Sequence, residues 1–351
     1  MATPGLRNAI TDVGGILVGQ AEDQARVTGT TVVLAEAPAT AAVDVRGGAP
    51  GTRETDLLAA DTLVERIDAV VLSGGSAFGL DAAGGVMEWL AAAGRGFAVG
   101  TPSGGPAIRV PIVPAAILFD LGFPGRDSHA GAAPYRELGR RAAQAAKTDF
   151  TLGNAGAGLG ARAGALKGGI GSASLRLADG ATVGALVAVN CWGSTVRPDC
   201  GRFWAAELAL AGDIDPQPPA PPTPVDLDDL SQTRAAAAGA ATTIAVVATD
   251  AALDRGGCRR LAVMAQDGLA RAIRPVHTPF DGDCVFALAT GQGPAVDPAA
   301  LLRLGNAAAD CLARAVMRAL VAAAPLHGVA SWRQRWAASP TVLDSVPRRD
   351  P

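Results

Sequence analysis

Two threonines, Thr242 and Thr243, stand where a loose stretch of the chain gives way to a β-branched apolar run. Such a run between turn formers predicts a buried strand over about 242–250. If the peptide bond before Thr242 breaks, the new N-terminal threonine carries both a hydroxyl nucleophile and its own base, the free α-amine. An α-amine has a reference pKa of about 8, so it can accept a proton near neutral pH. The plain alternative is that two threonines simply favour a strand.

The second candidate group is an acidic pair, Asp281 and Asp283, which flanks Gly282 before a predicted strand over 284–290. Two carboxylates at this point can hold a cationic amine and orient a nucleophile. Asp-Gly-Asp is also a good turn sequence, and composition alone favours that simpler interpretation.

A predicted hairpin brings two further polar residues, Lys167 and Asn190, towards one another. Asp179-Gly180 predicts a two-residue turn between strands over 172–177 and 182–190, which leaves Lys167 and Asn190 at the open end. Among thirty basic residues only Lys147 and Lys167 are lysines. A desolvated lysine, unlike an arginine, can lose its proton. The alternative for Lys167 is an ordinary surface residue.

A glycine-rich segment over 73–80 lies between a predicted strand over 69–72 and a predicted helix over about 80–93. Its backbone N–H groups can face an anion. It lacks the dinucleotide fingerprint and the Gly-Lys-Ser/Thr of a P-loop. We therefore expect Gly75, Ser76 and Phe78 to line a substrate pocket; the alternative is that the glycines only allow the strand and helix to pack closely.

The elements that must position these groups follow from periodicity and turn residues. The upstream elements are predicted to be mutually paired strands over 28–36 and 40–46, a glycine-rich loop over 47–56, a strand over 113–121 and a helix over 135–147. The downstream elements are an exposed proline-rich and acidic linker over 214–241, helices over 255–273 and 299–324, and a flexible tail over 333–351.

The whole-chain composition excludes several classes of protein. With 351 residues, 49% of them hydrophobic, and a net charge of −3, the chain can bury a sizeable core and is not disordered. It has no basic stripe for nucleic acid, no signal peptide and no apolar stretch long enough for a bilayer, so we expect a cytoplasmic protein without nucleic-acid or membrane partners. Five scattered cysteines and three histidines without ligand spacing predict no metal site.

At these residues the sequence resembles the DmpA/BapA family of self-cleaving β-aminopeptidases (L-aminopeptidase/D-esterases) and their relative, the nylon-oligomer hydrolase NylC. The matching stretches occur in order along almost the whole chain, at 8–15, 44–52, 73–80, 110–114, 167–174, 242–250 and 277–283. The resemblance implies a single α/β domain over 1–351, an αββα sandwich of N-terminal-nucleophile-hydrolase type. It also implies self-cleavage into a large subunit, 1–241, and a small subunit, 242–351, which stay together and assemble as homo-oligomers.

The resemblance assigns roles to the candidate residues. Thr242 is the nucleophile freed by a cut after Ala241, Asn190 contributes to the oxyanion hole, and the residues at 281 and 283 form the acid pair. Lys167 is the candidate for the catalytic lysine, although some relatives place that lysine where this chain has Ala165.

Two other departures concern the nucleophile's surroundings. Many relatives have Asn where this chain has Ala241, and several have Tyr where it has Phe78. The first departure can slow the cut, and the second removes a hydroxyl. The nucleophile, the acid pair and the oxyanion donor all remain.

The function implied by the resemblance is a self-processing N-terminal threonine hydrolase of small peptides or amino-acid amides, with no cofactor. Three alternatives stay open on the sequence. They are an endo-hydrolase of 6-aminohexanoate (nylon) oligomers, an acyltransferase like the ornithine acetyltransferases, and an unprocessed binding protein.

Overall fold

The structure is a computed structural model that describes residues 2–101, 104–127, 133–214, 217, 219, 221, 224, 226, 228–234 and 241–337. Within these residues the strands are β1 (Ile16–Asp23), β2 (Thr28–Val45), β3 (Thr52–Arg53), β4 (Arg66–Ser73), β5 (Phe97–Val99), β6 (Ile108–Val110), β7 (Ala115–Ile117), β8 (Arg162–Ala163), β9 (Leu166–Lys167), β10 (Gly169–Arg176), β11 (Thr182–Asn190), β12 (Thr242–Thr249) and β13 (Cys284–Ala289). The α-helices are α1 (Ala82–Ala92), α2 (Tyr135–Gln144), α3 (Arg255–Ala272) and α4 (Pro298–Ala322).

Strand β2 joins two halves of one mixed sheet. The strand order is β10-β11-β12-β13-β2-β4-β7-β3, with β1 also paired to β2. The end of β2 pairs with β13, whereas its beginning pairs with β1 and β4. Between Leu34 and Ala39 the register shifts, so that residues 35–38 stand opposite the single residue Asp68. Such a bulge bends a strand and lets β2 enter both halves.

The bulge in β2 corrects one sequence-based prediction. The strands expected over 28–36 and 40–46 do not pair with each other, because both belong to β2. The pattern predicted that the chain reverses direction near Pro38, but the bulge lets it continue in the same direction. The beginning of β2 pairs with β4 and its end pairs with β13.

Three apolar layers hold the two halves and the helices together, which confirms the αββα sandwich. The helices α3 and α4 cover β10 to β13 through residues such as Leu312, Ala245 and Val247. The two halves of the sheet pack on each other through an inner layer that includes Val246 and Leu72. The helices α1 and α2 cover the opposite face of β2 and β4. Burial of apolar surface on this scale is the main stabilising term of the fold.

The chain near the predicted cut is less exposed than expected. The described residues of the 214–241 segment are exposed or half-buried up to Ser231, but Gln232 and Ala241 are buried. The carbonyl of Gln232 accepts the N–H of Ala165 at 2.9 Å, which fastens the segment to the loop before β9. The rest of this segment, including 235–240, lies outside the described residues.

Two further elements differ from the prediction. The strand expected over 113–121 is limited to β7, preceded by Pro114, which cannot donate to a sheet. The tail expected over 333–351 begins as ordered structure: Arg333–Ala337 form a π-helical turn after Trp332, which is buried and stacks on Phe203 at 4.8 Å. Residues 338–351 lie outside the described residues. Among the described residues no helix is long and apolar enough to cross a membrane.

Candidate active site

Thr242 opens β12 and is only 3% exposed. Along β12, Ile244 and Val246 enter the layer between the two halves of the sheet, whereas Ala245 and Val247 face the helices. Because side chains alternate along a strand, Thr242 faces the inner layer. Its hydroxyl donates a hydrogen bond to the carbonyl oxygen of Ala241. The hydroxyl therefore lies against the peptide bond that the sequence predicts to be cut.

Thr243, the neighbouring threonine and the other candidate nucleophile, has different surroundings. By the same alternation its side chain faces the helices, and its buried hydroxyl has no hydrogen-bond partner among the described residues. Its backbone N–H donates to Asp283 Oδ1 at 2.6 Å. Thr243 thus contributes its backbone N–H to the site. Of these two threonines, Thr242 is the one whose hydroxyl faces the inner layer.

Asn190 lies directly opposite Thr242 in the antiparallel pairing of β11 and β12. Directly opposed side chains share one face of a sheet. Its Oδ1 accepts hydrogen bonds from the Arg162 N–H at 2.9 Å and from Arg234 Nη2 at 2.5 Å. Its Nδ2 donates to the Phe119 carbonyl at 3.1 Å, which leaves its second hydrogen for another acceptor.

Asp283 is buried beside the start of β12. Besides the Thr243 N–H, it accepts two hydrogen bonds at Oδ2 from His277, one from the backbone N–H at 3.1 Å and one with ring Nδ1 at 2.9 Å. These contacts fix the carboxylate one residue away from the nitrogen of Thr242, which becomes the α-amine after a cut.

Asp281 forms a turn and at the same time borders the site. Its Oδ2 accepts the N–H of Thr278 at 3.0 Å, and its Oδ1 accepts the N–H of Trp192 at 3.1 Å. Burial, and then the nearby Asp283, raise the pKa of Asp281, while these hydrogen bonds oppose the rise. The turn interpretation is thus right about local structure, and the turn is built against the candidate nucleophile.

Glycines allow this close approach. A methyl group at position 282 would lie 2.9 Å from Thr242 Oγ1 and 2.7 Å from the Ala49 carbonyl oxygen. At position 47 it would lie 2.3 Å from the Asp283 nitrogen. The loop after β2 then closes on the acid pair, because the Gly47 N–H donates to the Asp283 carbonyl at 3.1 Å and the Ala49 N–H donates to the Asp281 carbonyl at 2.8 Å.

Lys167 is fully buried, so the surface alternative is wrong for it. Its Nζ donates to the carbonyls of Gly158 at 2.8 Å and Gly168 at 2.9 Å. Burial lowers the pKa of Lys167 to about 7; Asp120 opposes this shift and Arg234 adds to it. A lysine with this pKa exchanges its proton readily near neutral pH. Lys167 in β9 pairs with Arg162 in β8, and the backbone N–H of Arg162 donates to Asn190 Oδ1.

The glycine-rich segment after β4 contacts Asp120, whose charge acts on Lys167. The Gly75 N–H donates to Asp120 Oδ1 at 2.8 Å, and burial raises the pKa of this carboxyl to about 6. The Ser76 N–H donates to the Leu118 carbonyl at 3.0 Å, next to the Phe119 carbonyl that binds Asn190. Phe78 is 66% exposed, so its ring stands at the surface. Gly75 and Ser76 therefore lie behind Asn190, while Phe78 points outward.

Sequence reasoning missed three residues of this site: Asp120, Arg234 and His277. Asp120 was a polar residue near the end of the strand predicted over 113–121, and His277 lay in the matching stretch 277–283 without a role of its own. Arg234 was one arginine among many within the predicted linker, and no local motif distinguished it. Among the described residues no group of three His, Cys, Asp or Glu side chains could hold a metal ion.

Comparison with known proteins identifies the family and the fold of the chain. The sequence profile of peptidase family S58 matches residues 8–333. An uncharacterized aminopeptidase of Mycobacterium bovis is 46% identical over 346 residues, which cover 93% of this chain and 97% of the relative. A 6-aminohexanoate-oligomer endohydrolase of Paenarthrobacter ureafaciens is 29% identical over 294 residues, which cover 80% of this chain and 74% of that protein.

Two solved structures share the fold. A Burkholderia sp. beta-aminopeptidase has a TM-score of 0.65 and 24% identity over 97% of both chains. The L-aminopeptidase D-Ala-esterase/amidase of Ochrobactrum anthropi, described as a variant of the Ntn hydrolase fold, has a TM-score of 0.67 and 23% identity over 92% of this chain and 88% of that one. The predicted fold class and resemblance are thus confirmed. The chain belongs to peptidase family S58, and it is a hydrolase of amide bonds.

Proposed function

We propose that this chain cleaves itself before Thr242 and then works as an N-terminal threonine aminopeptidase on small peptides or amino-acid amides. One observation carries the proposal: the Thr242 hydroxyl lies against the Ala241 carbonyl, and Asn190 stands directly opposite. Membership of peptidase family S58 supports it.

The proposed cut uses the contact between Thr242 and Ala241. The Thr242 oxygen attacks the Ala241 carbonyl carbon, and the hydroxyl proton passes to the peptide nitrogen. The C–N bond then breaks, the nitrogen leaves as an amine, and an ester joins the two residues. Water then hydrolyses the ester to an Ala241 carboxylate and a free Thr242 hydroxyl. Strand β12 fixes the nucleophile, and proximity of this kind contributes several kcal/mol, or about 7–11 kcal/mol at most.

The same groups then act on a substrate. The free α-amine of Thr242 takes the hydroxyl proton as the oxygen attacks the amide carbon. The remaining N–H of Asn190 stabilises the tetrahedral oxyanion, and one such donor is typically worth about 3–4 kcal/mol. The leaving amine takes a proton, and water releases the acyl group from Thr242.

The acid pair and Lys167 set the charge around this reaction. Asp281 and Asp283 place negative charge beside the α-amine, which stabilises the ammonium group that forms when the amine takes the hydroxyl proton. With its pKa near 7, Lys167 can give or take a proton at working pH. Both roles depend on burial, since electrostatic interactions strengthen away from water.

The two pieces share one sheet, which supports their staying together after a cut. β12 and β13 lie between β11 and β2, so the small subunit is paired with the large subunit on both edges. We propose that this pair assembles further as a homo-oligomer.

The test is an assay of purified wild type and Thr242→Ala against amino-acid amides, β-peptides and 6-aminohexanoate oligomers. We expect wild type to release amines from the first two groups and Thr242→Ala to release none. Preference for the 6-aminohexanoate oligomers would favour the function named for the Paenarthrobacter relative. Transfer of the acyl group to an added amine in place of water would indicate an acyltransferase. Equal activity of the two proteins would overturn the proposal.

A further inference from the structure

The buried guanidinium of Arg234 contacts the candidate oxyanion donor directly. Arg234 Nη2 donates to Asn190 Oδ1 at 2.5 Å and to the Arg162 carbonyl at 2.6 Å. The Arg234 backbone N–H donates to the Trp192 carbonyl at 3.0 Å. Arg234 is therefore held at its backbone N–H and at its guanidinium, next to Asn190.

The segment that carries Arg234 is fastened close by. Gly164 has φ +56°, and a methyl group there would lie 2.1 Å from the Gln232 carbonyl oxygen. Only glycine permits this approach, which brings that oxygen to the Ala165 N–H. The docked segment precedes the proposed cut, so the large subunit keeps Arg234 when the bond before Thr242 is broken.

These contacts decide which way the Asn190 carboxamide points. The Arg162 N–H and the Arg234 guanidinium both donate, so the atom facing them must be the oxygen. The NH2 group then faces Phe119, on the far side of the carboxamide. A cationic donor on the oxygen also polarises the amide and strengthens its N–H groups as donors.

We propose that Arg234 is a positioning residue for the reaction: it holds the Asn190 carboxamide so that an N–H, and not the oxygen, meets the developing oxyanion. The proposal rests on the proposed function, in which Asn190 stabilises that oxyanion. It predicts that Arg234 acts through Asn190 in self-cleavage and in substrate hydrolysis alike.

The charge of Arg234 gives the proposal a second measurable consequence, a shift in the pKa of Lys167. Burial is the largest cause of the lowered pKa of Lys167, the Arg234 charge lowers it further, and Asp120 raises it. Among the described residues, Asp120 and Arg234 are the charged groups that shift the pKa of Lys167. Without the Arg234 charge the pKa of Lys167 moves upward, so the Lys167 inflection of the pH–rate profile moves to higher pH.

The test is a double-mutant cycle on the full chain. Arg234→Met, Asn190→Ala and the double variant are assayed for self-cleavage rate and for kcat and KM on an amino-acid amide. We expect Arg234→Met alone to lower kcat about tenfold to hundredfold with little change in KM, as for loss of a charged hydrogen bond. In the Asn190→Ala background we expect less than about a twofold further loss, because coupled residues are not additive.

The matched control is Arg274→Met. Arg274 lies near the same segment, but its guanidinium stacks on the Trp204 ring at 4.6 Å, so its loss should leave kcat unchanged. Arg234→Lys keeps the charge without the planar fork, so it should retain the pH profile but not the full kcat. If Arg234→Met fails to fold, Arg234→Lys replaces it in the kcat measurements of the cycle.

Two outcomes would overturn the inference. One is an unchanged kcat in both Arg234 variants, and the other is an equal loss from Arg234→Met in both backgrounds. A wild-type protein that neither cuts itself nor hydrolyses amides would instead refute the proposed function, and the wild-type arm reports this separately.

Discussion

At the scale of single residues, the site consists of buried polar groups that are each held by several hydrogen bonds. Lys167 is held by two carbonyls, Asp283 by the Thr243 and His277 donors, and Asp281 by Thr278 and Trp192. A buried polar group is stable only when it is paired in this way. The same pairing fixes each group in one orientation, which catalysis requires.

The first prediction concerns Lys167 and uses Lys147 as its control. Lys167→Met should remove amide hydrolysis, because no other described lysine is buried at the site. Lys147→Met should have little effect, because Lys147 is not among the buried charged residues. The measurement is kcat/KM for both variants. Equal effects of the two substitutions would remove Lys167 from the mechanism.

The same Lys167→Met protein gives a prediction about stability and pH. The pKa of Lys167 falls from 10.5 to about 7 on folding, so between these values the unfolded chain holds a proton that the native protein has lost. Stability therefore rises with pH in this window, by up to about 1.4 kcal/mol per pH unit. Wild type should gain free energy of unfolding relative to Lys167→Met from pH 7 upward, as measured by urea denaturation. A constant difference would mean that the pKa is not lowered.

The second prediction concerns the acid pair. Asn keeps one oxygen acceptor, so Asp283→Asn can still bind the Thr243 N–H while losing its charge. We expect Asp281→Asn and Asp283→Asn each to lower kcat about tenfold to hundredfold, with a much smaller change in unfolding free energy. Activity and urea denaturation measured side by side decide the matter. A double variant with unchanged hydrolysis would leave these residues as a turn only.

The candidate site residues that could be predicted from the sequence lie at the ends of strands or in the turn before one. Thr242 and Asn190 open and close predicted strands, and Asp281 and Asp283 form a turn before another strand. Arg234 and Asp120 reach the site only through tertiary contacts with Asn190 and Gly75, which no local pattern encodes.

At the scale of elements, the turn before β13 must pass close to the start of β12. Gly282→Ala would place a methyl group 2.9 Å from Thr242 Oγ1 and 2.7 Å from the Ala49 oxygen, which belongs to the backbone and cannot move easily. We expect slower self-cleavage and about tenfold to hundredfold lower kcat, because small displacements of reacting groups are costly.

The control for this third prediction is Gly256→Ala in the first turn of α3. A methyl group there would meet only Asp254 Oδ1, at an ordinary 3.5 Å. Alanine also favours a helix more than glycine does, so activity and stability should be kept. Gly282→Ala with wild-type cleavage and kcat would show that the turn does not touch the nucleophile.

Elements with a strong local pattern were predicted well, and those set by long-range pairing were not. The hairpin of β10 and β11 forms around Asp179-Gly180 as expected, and α3 spans Arg255–Ala272 where a helix was predicted over 255–273. β2 was split in two because its bulge depends on partners from β1, β4 and β13. Residues 333–337 were assigned to a flexible tail because the contact that anchors them, Trp332 on Phe203, joins residues remote in sequence.

At the scale of the whole molecule, the proposed cut divides a continuous sheet without separating its strands. β12 and β13 remain paired with β11 and β2, and α3 and α4 cover them. The new N-terminus then lies inside the αββα sandwich, beside Asn190 and the acid pair. The proposed cut would thus create the α-amine beside the candidate catalytic groups.

Self-cleavage before Thr242 can be measured by intact-mass analysis and N-terminal sequencing of the purified protein. We predict two fragments, the smaller beginning Thr-Thr-Ile-Ala at Thr242, and one uncut, inactive chain for Thr242→Ala. Thr242→Ser should still cut slowly because it keeps a hydroxyl, and Ala241→Asn should cut at least as fast as wild type. A wild-type protein that hydrolyses amides while remaining one intact chain would contradict the account.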